Sequence, residues 1–194
     1  MVRLFFYSCI SGLLFFLSWP TNFFVLIPLI FIAFVPLFLI QRDIKIKKKS
    51  TINVFLFSFI SFFIFNFCTT FWVEKASPAF GEGLFAVLCN AFFMSLVFYF
   101  FHVLQQKIKF ISPLFFLSFF WISFEILHMN WDLNWPWLTL GNVFSEHPNW
   151  VQWYSYTGVL GGSLWVLGVN YLIFKTYLNF PYKSSLKSKD NLYV

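Results

Sequence analysis

The stretch QRDIKIKKKSTINVFLFSFISFFIFNFCTTFWVEK, residues 41–75, decides the class of this protein. It opens on Arg42, Lys45, Lys47, Lys48 and Lys49, runs through residues 52–73 without a charge, and closes on Trp72, Glu74 and Lys75. A helix rises about 1.5 Å per residue, so a run of roughly 20 apolar residues crosses the hydrocarbon core of a bilayer. Tryptophan at one end of such a run marks the headgroup level, and clustered Lys/Arg at the other marks the cytoplasmic side. The stretch therefore predicts a membrane-spanning helix whose orientation is already set.

The same punctuation continues in both directions. Apolar runs at residues 4–19, 23–40, 84–104, 110–127 and 151–174 join the one at 52–73. Arg3 and the basic residues within 42–49, 107–109 and 175–189 all fall between runs on one side, and only Lys75 falls on the other. In short loops these cations set orientation because they resist transfer across the bilayer. The expectation is an all-α integral membrane protein, a polytopic bundle of six transmembrane helices with both termini in the cytoplasm. Residues 1–180 form one membrane domain and residues 181–194 a polar cytoplasmic tail. Residues 4–17 resemble a signal-peptide core, but Ser18-Trp19-Pro20 offers no small-x-small cleavage site, so the segment reads as a retained span.

Composition excludes other classes. The chain of 194 residues is 60% hydrophobic and 10% charged, with a mean hydropathy of +0.76. Soluble domains carry about 25% charged residues. The net charge of +6 is spread between spans as topology anchors rather than gathered in a patch or arm, which argues against nucleic acid as a partner. The 33 phenylalanines read as lipid-facing and packing surface, without chemistry of their own. Cys9, Cys68 and Cys89 lie inside apolar runs, form no CxxC pair and are odd in number, which speaks against a disulfide framework or a zinc site. No cofactor is implied.

The informative residues lie on the side opposite the cations. Two prolines eight residues apart, Pro28 and Pro36, predict a kinked second span. The loop at 128–150 holds Trp131, Trp135, Trp137 and Trp150, and its length of about 22 residues exceeds ordinary connections. It reads either as an aromatic belt or as a surface that contacts lipid or substrate. Glu125 is the one acidic residue inside a span, and an intramembrane carboxylate is a functional candidate by default. Glu125 and His128 stand at i, i+3 like half a di-iron site, but the second Glu-x-x-His is absent, so no metal is expected. Gly158 and Gly162, with Gly161 beside them, form a GxxxG pattern read as a helix-packing seam.

A series of motifs in fixed order brings these pieces together. Trp19-Pro20 precedes a Pro- and Leu-rich span, and Phe71-Trp72-Val73 leads into the next loop. Trp121-Ile122-Ser123-Phe124-Glu125 ends the fifth span, and Trp135-Pro136-Trp137-Leu138-Thr139-Leu140-Gly141 follows. Pro148, Gly158-Val159-Leu160-Gly161-Gly162-Ser163 and Asn170 complete the series. It resembles the N-terminal membrane region of the bacterial apolipoprotein N-acyltransferases, whose signatures read W-x-x-x-E, F-P-W-L-x-x-G and G-x-x-G-x-S with a later Asn. Trp135 stands in place of the family's Phe, and the Arg common soon after the Glu is missing, with His128 and Met129 in that region.

The resemblance implies an inner-membrane enzyme class that moves an acyl chain from a phospholipid to the N-terminal cysteine of a lipoprotein. In that family the chemistry belongs to a nitrilase-like domain with a Glu-Lys-Cys triad. No residue here matches the triad, and the sequence ends after the sixth span, so no catalytic residue is carried over. The expectation is a membrane domain inactive alone, with membrane phospholipid and lipoprotein substrate as ligands and a nitrilase-like catalytic chain as a possible partner. Glu125, Trp135, Pro136, Trp137, Leu138 and Gly141 are the lipid- or substrate-contacting candidates. The alternative is a non-enzymatic membrane protein that binds lipid or lipoprotein. A solute transporter would show internal repeats and polar midplane groups, and neither is seen.

Overall fold

A computed structural model describes residues 1–20, 26–76, 80–108, 110–131 and 134–179, and within them there are helices and turns but no strand. The molecule is a polytopic helical membrane protein. Helix α1 (Val2–Ser18) leads to a 3-10 turn (Ile27–Ile32) that continues into α2 (Val35–Ile46). Helices α3 (Ile52–Thr70), α4 (Trp72–Ala76), α5 (Glu82–Lys107), α6 (Pro113–Asn130) and α7 (Tyr154–Asn179) follow. Among the described residues five segments are long and apolar enough to cross a membrane, counting the 3-10 turn and α2 as one, and α1 is a shorter apolar helix of 17 residues. The expected tail at 181–194 and the turn residues 21–25 lie outside the described residues.

The elements differ from the sequence expectation at their ends. Helices α2, α5 and α6 run on past the apolar runs to Ile46, Lys107 and Asn130. Hydropathy reports where hydrocarbon ends, whereas a helix continues while its backbone bonds are made and its polar side chains reach water. Within the described residues the second span is a 3-10 turn (Ile27–Ile32) followed by α2, with a break between them. Side chains from distant elements hold that break. Asn170 of α7 accepts from Phe34 N–H at 2.8 Å and donates to Ile30 O at 2.7 Å, and Ser11 of α1 donates to Ala33 O at 2.7 Å. Backbone groups freed inside a membrane must be re-satisfied in this way.

Packing between the helices is aromatic at the centre. Phe34 meets Phe15 edge-on at 4.9 Å and Trp121 at 5.0 Å, and Phe62 meets Trp121 at 5.6 Å, so α1, α2, α3 and α6 share one cluster. Such pairs are worth about 0.5–1.5 kcal/mol each beyond the area they bury. The close crossing is between α1 and α3, where Ser8, Ser11, Gly12, Ser58 and Ser61 are all buried. A Cβ on Gly12 would stand 2.7 Å from Ser61 O and from Ile64 Cβ. That seam of small residues allows close backbone approach.

Alternation of the helices puts like ends together. Arg3 at the start of α1 is ion-paired with Asp43 near the end of α2, and Gln41 Nε2–H of α2 donates to Gln105 Oε1 of α5 at 2.7 Å. The cations of α1, α2 and α5 therefore gather at one end of the bundle. The loops after α3 and α6 gather at the other, where Trp72 and Trp137 meet edge-on at 6.3 Å.

Candidate functional site

The site is the loop end, built on the carboxylate of Glu125. Glu125 is four residues after Trp121 on α6, one turn along the same face, and its Oε1 accepts from Trp121 Nε1–H at 3.1 Å. The same oxygen accepts from Leu140 N–H at 2.9 Å, and the residue is only 3% exposed. The loop after α6 is not slack. It folds into 3-10 turns at Pro136–Leu138, Leu140–Phe144 and Pro148–Trp150. Each such turn begins with N–H groups that lack a partner within the turn. At the second turn side chains supply them, because Glu125 takes Leu140 N–H and Ser163 Oγ of α7 takes Gly141 N–H at 3.0 Å. Tyr154 OH donates to Gly141 O at 2.9 Å. Both polar groups of the Gly141 peptide are thus fastened to α7, and the preceding residue to α6.

Glycine is required at the point of contact. A Cβ on Gly141 would run into the carbonyl of Val159, and one on Gly162 would run into the Tyr154 hydroxyl and come within 3.0 Å of Gly141 Cα. Gly158 serves differently, with φ 65° and ψ −175° in a region that only glycine occupies without strain. It turns the start of α7 so that Tyr154 reaches back to the loop. A Cβ on Gly161 would run into the Thr157 side chain and the Trp153 ring. Within this pattern Gly162 receives the loop at Gly141 and Gly158 supplies a kink.

The other candidates divide by exposure. Leu138 is buried, Trp135 and Pro136 are half-buried, and Trp137 is 57% exposed beside Trp72. Pro136 O accepts from Asn142 Nδ2–H at 3.0 Å, which closes the Pro-Trp-Leu turn. Beneath the loop, Asn90, Glu125, His128 and Trp135 line a small inner cavity together with Met94 and Thr139. Among the described residues no group of three His, Cys, Asp or Glu is placed to hold a metal. Cys9, Cys68 and Cys89 form no disulfide, and His128 has no hydrogen-bond partner at either ring nitrogen. Asn90 was not singled out by sequence reasoning. A lone amide within an otherwise apolar span was the available signal.

Each motif of the sequence now has a geometric reason. W-x-x-x-E is the Trp121–Glu125 bond, the Gly141 motif is the loop turn, G-x-x-G-x-S supplies the kink and Ser163, and the later Asn170 holds the break before α2. The profile of the apolipoprotein N-acyltransferase N-terminal domain family matches residues 11–172, which covers all of these. The chain belongs to this family.

The apolipoprotein N-acyltransferase of Chlorobaculum tepidum is similar, 32% identical over 183 residues, in an alignment covering 90% of this chain and 32% of the relative. The chain thus spans about a third of the length of that curated relative. No solved structure matches it. As a member of this family with these apolar helices, the chain is a multi-pass membrane protein.

Proposed function

We propose that residues 1–179 are the lipid-side platform of an apolipoprotein N-acyltransferase in the bacterial inner membrane. The loop end faces outward and both termini face the cytoplasm. The basic end of the bundle supports this orientation, since Lys and Arg are retained on the cytoplasmic side. In this reading the loop end meets phospholipid and the lipoprotein substrate, and Trp137 and Trp72 seat against acyl chains and headgroups as tryptophans do at that depth. Acyl transfer is performed by a nitrilase-like catalytic unit, carried by the same polypeptide or by a separate chain.

The observation that carries the proposal is the double fastening of the Trp135–Gly141 turn by Glu125 and Ser163. A surface held this firmly suits a docking role, whereas an interfacial belt needs no such anchor. Covalent catalysis requires an activated group within reach of a base, and this reading assigns that group to the catalytic unit. Purified 194-residue polypeptide given phospholipid and a diacylated lipopeptide should form no N-acyl product in an assay read by mass spectrometry. Product that disappears with Cys68→Ser or Cys89→Ser would overturn the assignment of chemistry to another unit.

A further inference from the structure

Burial normally brings a polar atom a partner, and each one left without costs about 1–3 kcal/mol. Among the described residues, seven buried side-chain atoms meet no protein partner, and six of them belong to Asn90, Glu125, His128, Trp131 and Trp135. Asn90 and His128 are 3% and 6% exposed. These residues are not scattered. Asn90, His128 and Trp135 line both the inner cavity beside Glu125 and a second cavity of about 210 Å³ between α5 and the loop end of α6. The second cavity is completed by Phe85, Ala86, Cys89, Phe93 and Asn134.

The orientation of Asn90 is fixed by its neighbours. Asn66 Nδ2 donates to Phe62 O at 2.8 Å, so its Oδ1 must accept, and Asn90 Nδ2 donates to it at 2.5 Å. The amide oxygen of Asn90 is left over as an acceptor. Trp135 Nε1–H is a donor without a partner, and a neutral His128 ring offers one donor and one acceptor. The His128 ring is held by stacking on Phe124 at 4.9 Å and by Trp131 at 5.2 Å. No Lys, Arg, Asp or Glu lines the larger cavity, so a phosphate there would be buried without a counter-charge.

We infer that this cavity binds the uncharged glycerol neck of a single-chain lipid, one ester carbonyl and one free hydroxyl together. The carbonyl accepts from Trp135 and His128, and the hydroxyl donates to Asn90 Oδ1. A fully esterified neck has no donor for Asn90. The acyl chain runs out past Phe85 and Phe93, the first of which is exposed on the outside of α5. A phospholipid that has given up one acyl chain has this neck, so the cavity would hold the product of the acyl-donor half of the reaction. The inference rests on the lipid-side reading above for that placement in a reaction. Its test is binding alone, so failure of the transferase reading is scored separately.

The test is native mass spectrometry of the full chain in a non-ionic detergent, titrated with five lipids of matched chain length. Lysophosphatidylcholine should bind about tenfold more tightly than diacyl phosphatidylcholine, than its ether-linked lyso analogue and than an alkylphosphocholine without glycerol. Lysophosphatidylglycerol should match lysophosphatidylcholine within about threefold, since the headgroup charge lies outside the cavity. Asn90→Leu should abolish the preference, and Asn90→Asp should retain an acceptor and part of it. Because Asn90→Leu also breaks the bond to Asn66, Ala86→Trp provides a second arm that fills the cavity without touching its polar groups. Equal binding of all five lipids, or a preference unchanged in Ala86→Trp, would mean that the polar atoms are satisfied by water alone and would overturn the inference.

Discussion

Glu125 accepts from an indole N–H on its own helix and from a backbone N–H fifteen residues further on, in a site closed to solvent. Glu125→Ala leaves both donors buried and unpaired, at about 1–3 kcal/mol each, so unfolding in detergent should shift by roughly 2–5 kcal/mol. Glu125→Gln keeps a carbonyl oxygen in place of Oε1 and should cost less than about 1 kcal/mol. Equal losses for the two variants would contradict the role given to that oxygen. Gly141→Ala must displace the Val159 carbonyl, which is backbone and cannot swing aside, and a loss of about 1–3 kcal/mol is expected from such overpacking. At this scale the sequence was informative wherever chemistry is rare in lipid. A lone carboxylate, a Pro-Trp-Leu turn and a later Asn all announced themselves, whereas Ser163 and Tyr154 became meaningful only once the loop was seen to fold back on α7. Asn90 stands out as a lone amide in its span, but nothing in the chain marks that the fold leaves polar atoms of Asn90 and His128 without partners.

Elements show a different balance between what is legible and what is not. The six apolar runs are visible because each must cover the hydrocarbon core, but their ends are not, because a helix outlasts its apolar stretch. The break before α2 depends on Ser11 and Asn170, far away in the chain, so paired prolines predict a kink and leave its form open. The segment at 74–83 reads as a polar loop, yet Glu74 accepts from Gly81 N–H at 2.6 Å and Leu84 N–H at 2.9 Å, and so caps the start of α5 from outside it. Those backbone donors hold the Glu74 carboxylate below its ordinary value of 4.5. The sign follows from linkage: the contribution is present above about pH 4.5 and is lost as pH falls through the lower folded value. Hydrogen exchange at Gly81 and Leu84 should therefore quicken in acid more than exchange in the middle of α5, and Glu74→Gln should remove that difference. Gly158→Ala should misdirect the start of α7 and lose the Tyr154–Gly141 bond, seen as faster exchange at Gly141 with α6 unaffected.

For the whole molecule, orientation and purpose stand or fall on the loop end. With Arg3, Asp43, Gln41 and Gln105 meeting at one end and Trp72 and Trp137 at the other, reporter fusions at Asn130 and Lys187 should report outside and inside respectively. The reverse result would place the anchored loop on the wrong side for lipoprotein substrates. Family membership was legible because its motifs fall on the groups that fasten loop to bundle, which composition alone would never disclose. The most direct measurement replaces the matching third of the Chlorobaculum tepidum enzyme with residues 1–179 of this chain and reads N-acylation of a lipoprotein by mass spectrometry. The chimera should acylate. The same chimera carrying Glu125→Ala or Gly141→Val, at equal abundance in the membrane, should lose at least about tenfold in rate, which corresponds to about 1.4 kcal/mol in the transition state. Undiminished acylation by both variants would contradict the claim that this anchored loop end is the lipid-side platform of the reaction.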